Sequence, residues 1–74
     1  MLQNLACQTV TGNRVNVQCK FPFEYRGKRF YECTFYPGIE FPWCSTKNAN
    51  GVHIEGEWGY CHHRCEHGIY QLKI

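Results

Sequence analysis

Apolar residues in this chain come in short clumps rather than at helical intervals. No window keeps an i, i+3, i+4 stripe for more than one turn, whereas brief aromatic and β-branched runs recur, broken by Gly or Asn. The pattern predicts a loop-rich, all-β chain with short strands. Phe23-Glu24-Tyr25 and Arg29-Phe30-Tyr31 flank Arg26-Gly27-Lys28, where glycine supplies the positive φ that a tight hairpin turn needs. Trp43-Cys44-Ser45-Thr46 and Glu57-Trp58-Gly59-Tyr60 form a second candidate pair, joined by a long loop with its own turn at Asn50-Gly51. Two such ribbons hide little surface without help.

Composition shows where the help comes from. With 74 residues the chain is one small domain whose core is too small to hold it comfortably, and its six cysteines (Cys7, Cys19, Cys33, Cys44, Cys61 and Cys65) leave none over if paired. Three disulfides and an oxidising, secreted or extracellular setting are expected, although spacing alone does not choose among fifteen pairings. A net charge of +2 with 19% charged residues gives no field of the kind that recruits nucleic acid. No apolar run reaches membrane-spanning length. The first six residues lack the basic segment and apolar run of a secretory signal, and are read as a flexible lead-in to a mature or excised module. Residues 66–74 follow the last cysteine and are read as a C-terminal tail. Five Phe, five Tyr and two Trp make aromatics the unusual investment of so short a chain.

The order Cys19, Pro22-Phe23, Tyr25, Gly27, Cys33, then Trp43-Cys44-Ser45-Thr46 and Trp58-Gly59-Tyr60-Cys61, with thirteen residues between Cys19 and Cys33, closely resembles the fibronectin type II module over residues 19 to 61. The resemblance implies a kringle-like, disulfide-rich all-β fold of two short antiparallel hairpins or sheets. It also implies the pairings Cys19–Cys44 and Cys33–Cys61. Cys7 and Cys65 would then join the two ends, giving a module at 7–65 with the one-six, two-four, three-five order of a kringle.

Phe21, Phe23 and Phe30 are expected to form the small core. Positions matching Tyr25, Trp43, Trp58 and Tyr60 line a shallow ligand pocket in the family, which implies a non-catalytic binding module. Flat rings fixed by nearby disulfides offer contact area at low entropy cost. They suit the proline rings and apolar side chains of a collagen- or gelatin-like strand, and they suit a choline headgroup through cation–π attraction. A spacer role in a larger secreted protein, such as a protease, is the third reading implied. The sequence departs from family habit in two places. Residues 34–42, Thr-Phe-Tyr-Pro-Gly-Ile-Glu-Phe-Pro, replace the Arg-Ser-Asp-Gly type of loop common in gelatin-binding members, and end in the Phe-Pro-Trp-Cys of the seminal-plasma type. Residues 47–54 lack the Tyr usual after Trp-Cys, in an interval longer than usual, so Val52, His53 or Ile54 is expected to stand in for the missing ring.

Other chemistry fits poorly. His62 and His63 between Cys61 and Cys65, with His67 beyond, suggest zinc, but oxidised cysteines offer no thiolate and the spacing matches no paired Cys-two-Cys knuckle. No Ser or Cys nucleophile with a His partner and no paired-carboxylate cleft is legible; the six acidic residues are all Glu, and kringle-type lysine binding uses aspartates. Arg26, Lys28 and Arg29 read as a solvated hairpin tip. No cofactor, metal or nucleic-acid partner is expected, and the module is read as monomeric.

Overall fold

In the computed structural model, residues 7–65 are described. Seven short strands run in the order β1 (Thr9–Thr11), β2 (Phe23–Tyr25), β3 (Lys28–Phe30), β4 (Trp43–Ser45), β5 (Asn48–Ala49), β6 (Val52–His53) and β7 (Trp58–Cys61). They make a three-stranded sheet, β1-β7-β4, and a four-stranded sheet, β3-β2-β6-β5. There is no helix among the described residues.

Both expected strand pairs form, the first with a shift the backbone explains. Tyr25 pairs with Lys28, so the first turn is only Arg26-Gly27, with φ of 53° and 80°. Two consecutive left-handed residues define the mirror-image turn whose twist matches antiparallel strands. The second strand therefore starts at Lys28, one residue earlier than the sequence suggested, and leaves Tyr31 62% exposed beyond its end. Trp43, Cys44 and Ser45 face Tyr60, Gly59 and Trp58 across the β4–β7 ladder. Asn50-Gly51 turns β5 into β6 in the same way, with φ of 53° and 83°.

The sequence did not reveal how these ribbons are tied into sheets. β2 pairs in parallel with β6 at Glu24 and Val52, supported by the Glu24 amide donating to the Gly51 carbonyl at 2.8 Å. β1 lies along the other edge of β7, with Thr9 opposite Cys61. That approach needs Gly59: a Cβ there would sit 2.6 Å from the Thr9 side chain and would also meet the Arg14 carbonyl.

All three implied disulfides are present: Cys7–Cys65, Cys19–Cys44 and Cys33–Cys61. Their sulfurs form the middle of the core. Cys7 Sγ lies 3.3 Å from Cys19 Sγ and 3.5 Å from Cys33 Sγ, and Cys19 Sγ lies 3.9 Å from Cys61 Sγ, so the three bridges touch. Phe23 is fully buried beside them, whereas Phe21 and Phe30 are only partly buried and pack against that centre. Of the three phenylalanines expected inside, one is core and two are its cover.

Candidate functional site

Strand parity creates the site. Alternate residues of a strand point to opposite faces, and directly opposed residues share a face. Trp58 and Tyr60 on β7 therefore stand on the same face as Ser45 and Trp43 on β4, while Gly59, Cys61 and Cys44 point to the sulfur side. Tyr25 reaches this face from the other sheet. Tyr25, Trp43, Trp58 and Tyr60, the four residues singled out in the sequence, line one open cavity of about 260 Å³.

They do not play equal parts. Trp43 is 5% exposed and forms the floor, its indole N–H donating to the Tyr36 carbonyl at 2.6 Å. Tyr25 stands edge-on to it, with ring centroids 5.1 Å apart. Trp58 and Tyr60 meet edge-to-face at 5.0 Å and form the opposite wall. Such T-shaped contacts hold rings in fixed orientations and add roughly 0.5–1.5 kcal/mol each beyond area burial. Arg14 steadies the base of the Trp58 wall. Its amide donates to the Trp58 carbonyl at 2.8 Å, and its guanidinium grips Glu57 through two 3.0 Å bonds, which holds the Glu57 carboxyl below the usual carboxylate range.

His53 stands among these rings. Its imidazole is 5.2 Å from Trp43 and 5.7 Å from Tyr25, both edge-to-face, and it lines the cavity. Of the three residues considered from sequence, the β5–β6 hairpin chooses this one: Val52 is 45% exposed and His53, its neighbour in the strand, turns inward. Nδ1 of His53 is 2.7 Å from the hydroxyl of Ser45, which is fully buried. Burial pushes the imidazole below its ordinary pKa, against the opposing pull of Glu55 and Glu57.

Pro37, Ile39 and Glu55 complete the lining and were not picked out from the sequence. Pro37 and Ile39 lie in the loop before Trp-Cys, where no periodicity marks which side chains turn inward. A proline and an apolar residue in that otherwise divergent loop were the only available signals.

The remaining candidates lie elsewhere. Cys61 and Cys65 are committed to disulfides, while His62 and His63 stack on each other at 4.2 Å and the Arg64 amide donates to His62 Nδ1. His67 lies outside the described residues, as do the expected lead-in and tail. The basic turn is exposed, but two of its cations rest on rings: Arg26 is 5.1 Å from the Tyr25 centroid and Lys28 is 5.7 Å from that of Tyr36.

Similarity to known proteins follows the same residues. Horse seminal plasma protein HSP-1 is 41% identical over 44 residues, covering 60% of this chain and 32% of that protein. Chicken 72 kDa type IV collagenase is 38% identical over 53 residues, covering 70% of this chain but 8% of the collagenase. Mouse binder of sperm protein homolog 1 is 37% identical over 43 residues, covering 58% of this chain and 29% of its own length. The chain thus spans a third or less of each of these relatives. No solved structure gives a significant match. The sequence model of the fibronectin type II domain matches residues 19–61, more than half the chain, and the chain belongs to the fibronectin type II family.

Proposed function

We propose that this chain is an extracellular, non-catalytic binding module that captures an extended, collagen- or gelatin-like polypeptide, taking one of its side chains into the cavity between Tyr25, Trp43, Trp58 and Tyr60. The observation that carries this reading is that these four rings stand around one open cavity, with His53 completing the wall that the sequence leaves short of a tyrosine. A cavity of about 260 Å³ suits a single side chain or headgroup rather than a folded ligand. The match to a type IV collagenase supports the matrix reading. Residues 7–65 would be the working unit, with 1–6 and 66–74 as flanking segments, carried as a monomeric module within a larger secreted protein.

A second reading, capture of a choline phospholipid headgroup, is favoured by the ring box itself and by the likeness to a seminal plasma protein. A spacer role is disfavoured by the same geometry, because Trp58 fronts the cavity rather than being sealed against Trp43. Titrating the oxidised protein with gelatin and with phosphorylcholine, while following Trp fluorescence, separates the three. Saturation with gelatin alone supports matrix capture, and saturation with phosphorylcholine alone replaces it with headgroup capture. Silence with both leaves the spacer role.

A further inference from the structure

The cavity is not uniformly apolar, and its polar groups are of one kind. The Ser45 hydroxyl has a single proton and three close neighbours: the Asn48 Oδ1 at 2.6 Å, the Lys47 carbonyl at 3.0 Å and His53 Nδ1 at 2.7 Å. The Asn48 amide cannot be reversed without cost, because its Nδ2 donates to the carbonyls of Pro22 at 3.2 Å and Lys20 at 3.4 Å. Oδ1 therefore faces Ser45, and both it and the Lys47 carbonyl can only accept. The Ser45 proton is committed to them, so the Ser45 oxygen must accept from His53, whose proton is on Nδ1. Among the described residues nothing bonds Nε2. In the neutral ring Nε2 is an acceptor, on the edge of the imidazole opposite buried Ser45.

His53, Glu55 and the four aromatic residues line one cavity, which brings an imidazole acceptor, a carboxylate and electron-rich rings to the same place. Each of the three attracts a cation, and the imidazole acceptor also demands that the cation carry an N–H. Resting on the binding-module reading above, we propose that the side chain held in this cavity is the protonated primary amine of a lysine, recognised by the rings, by Glu55 and by His53 Nε2. His53 makes that recognition conditional on pH. Protonation turns Nε2 from acceptor into donor and places a positive charge against the ammonium, while Nδ1 keeps its bond to Ser45. The other charged or titratable groups near the imidazole are Glu55 and Glu57 in the loop after β6, Lys47, which acts on Glu57, the Tyr25 phenol on β2 and Arg26, whose guanidinium lies over the Tyr25 ring; Trp43 and Phe23 bring none. The lowered pKa of His53 keeps the ring neutral, and the site open, at physiological pH.

The test uses the full oxidised chain and three Nα-acetyl amino acid N-methylamides: lysine, its Nε-trimethyl form, and norleucine as the uncharged isostere. Binding is followed by Trp fluorescence, with gelatin titrated in parallel. Lysine is expected to bind tightest at pH 7.5, the trimethyl form several-fold more weakly and norleucine weakest. The lysine affinity should fall as the pH is lowered from 7.5 through the depressed His53 titration, while norleucine stays level. Glu55→Gln, at an exposed position, should weaken lysine by about fivefold and norleucine by much less. His53→Phe should abolish the pH dependence. A norleucine or trimethyl-lysine affinity equal to that of lysine overturns the proposal, as does a flat lysine pH profile in the unaltered chain. If gelatin binds and all three probes are silent, this inference fails and the module reading stands. If gelatin is silent too, the module reading itself has failed.

Discussion

Replacing Cys7 and Cys65 together by alanine removes the bridge that closes the longest loop, its ends separated by 58 in sequence. Alanine is chosen because both sites are buried, 2% and 5% exposed, and a serine hydroxyl there would add an unpaired polar group. In the chain-entropy description, freeing a loop of that length destabilises the fold by about 4 kcal/mol. At roughly 4–8 °C per kcal/mol for a domain of this size, the melting temperature should fall by about 15–30 °C. Removing Cys33–Cys61 instead opens a 28-residue separation. Since each halving of loop length changes closure entropy by only about 0.6 kcal/mol, the two variants should differ little on that ground. They should differ in where the damage falls. Cys61 ends β7 beside Tyr60, whereas neither Cys7 nor Cys65 lies in a strand of the pocket. The assay is thermal melting together with the near-ultraviolet circular dichroism of the tryptophans at about 10 °C, well below the expected transition. The outer-bridge variant should keep the native aromatic signal when cold, and the inner-bridge variant should lose it. A fall of less than 5 °C in the outer-bridge variant, or loss of its cold aromatic signal, would refute the division of labour argued here.

Three further outcomes follow from particular contacts. Gly59→Ala should destabilise by about 1–3 kcal/mol, because its methyl group would press on the Thr9 side chain and the Arg14 carbonyl; chemical denaturation measures this, and an unchanged midpoint would show that β1 does not hold its place on β7. Asn50→Ala should lower stability by about 1 kcal/mol, since alanine resists the left-handed φ of 53° at that turn, and proteolysis near β5–β6 should quicken. The pH dependence of melting should show two losses on acidification. His53, with its pKa depressed in the folded state, contributes stability that is complete above the unfolded value near 6.5 and declines as pH falls from there through the lowered folded value. Glu57, depressed by Arg14, adds a second decline below the ordinary carboxylate range. His53→Phe should remove the first decline and leave the second.

How much of this could be read from the sequence depends on how local each feature is. Arg26-Gly27 and Asn50-Gly51 announce their turns because the positive φ that a tight hairpin requires is supplied by residues that tolerate it. The β4–β7 ladder is legible as two Trp-bearing runs, Trp43-Cys44-Ser45 and Trp58-Gly59-Tyr60, on either side of a long loop with its own turn. The β2–β6 pairing is not, since it joins residues 24 and 52 in parallel and no short motif encodes a long-range parallel contact. β1 was invisible because Thr9-Val10-Thr11 is too short to declare itself, and its strand character comes from the gap that Gly59 leaves on β7. The disulfide pairing came from family resemblance alone. Within the site, four rings were legible from their motifs and His53 only as one of three neighbours. Selecting it required the parity of β6, and its tautomer required the Ser45–Asn48 contacts that fix its partner.

Parity also explains why stability and binding are written into the same few residues. In β7 the sequence Trp-Gly-Tyr-Cys sends two rings forward into the cavity and sends a glycine and a cysteine back toward the sulfurs. On that rear side, Cys7, Cys19, Cys33 and Cys61, drawn from three different bridges, have sulfurs all within 4.8 Å of one another. A strand cross-linked so closely behind its rings has little freedom to lose when a ligand arrives, so the ordering cost of roughly 0.5–1.5 kcal/mol per side chain is largely met in folding. The same arrangement leaves no tolerance for slippage. Shifting β7 by one residue against β4 would turn Trp58 and Tyr60 into the sulfur layer and Cys61 out toward the cavity, breaking Cys33–Cys61 and emptying the site at once. The disulfide therefore fixes the register on which the pocket depends.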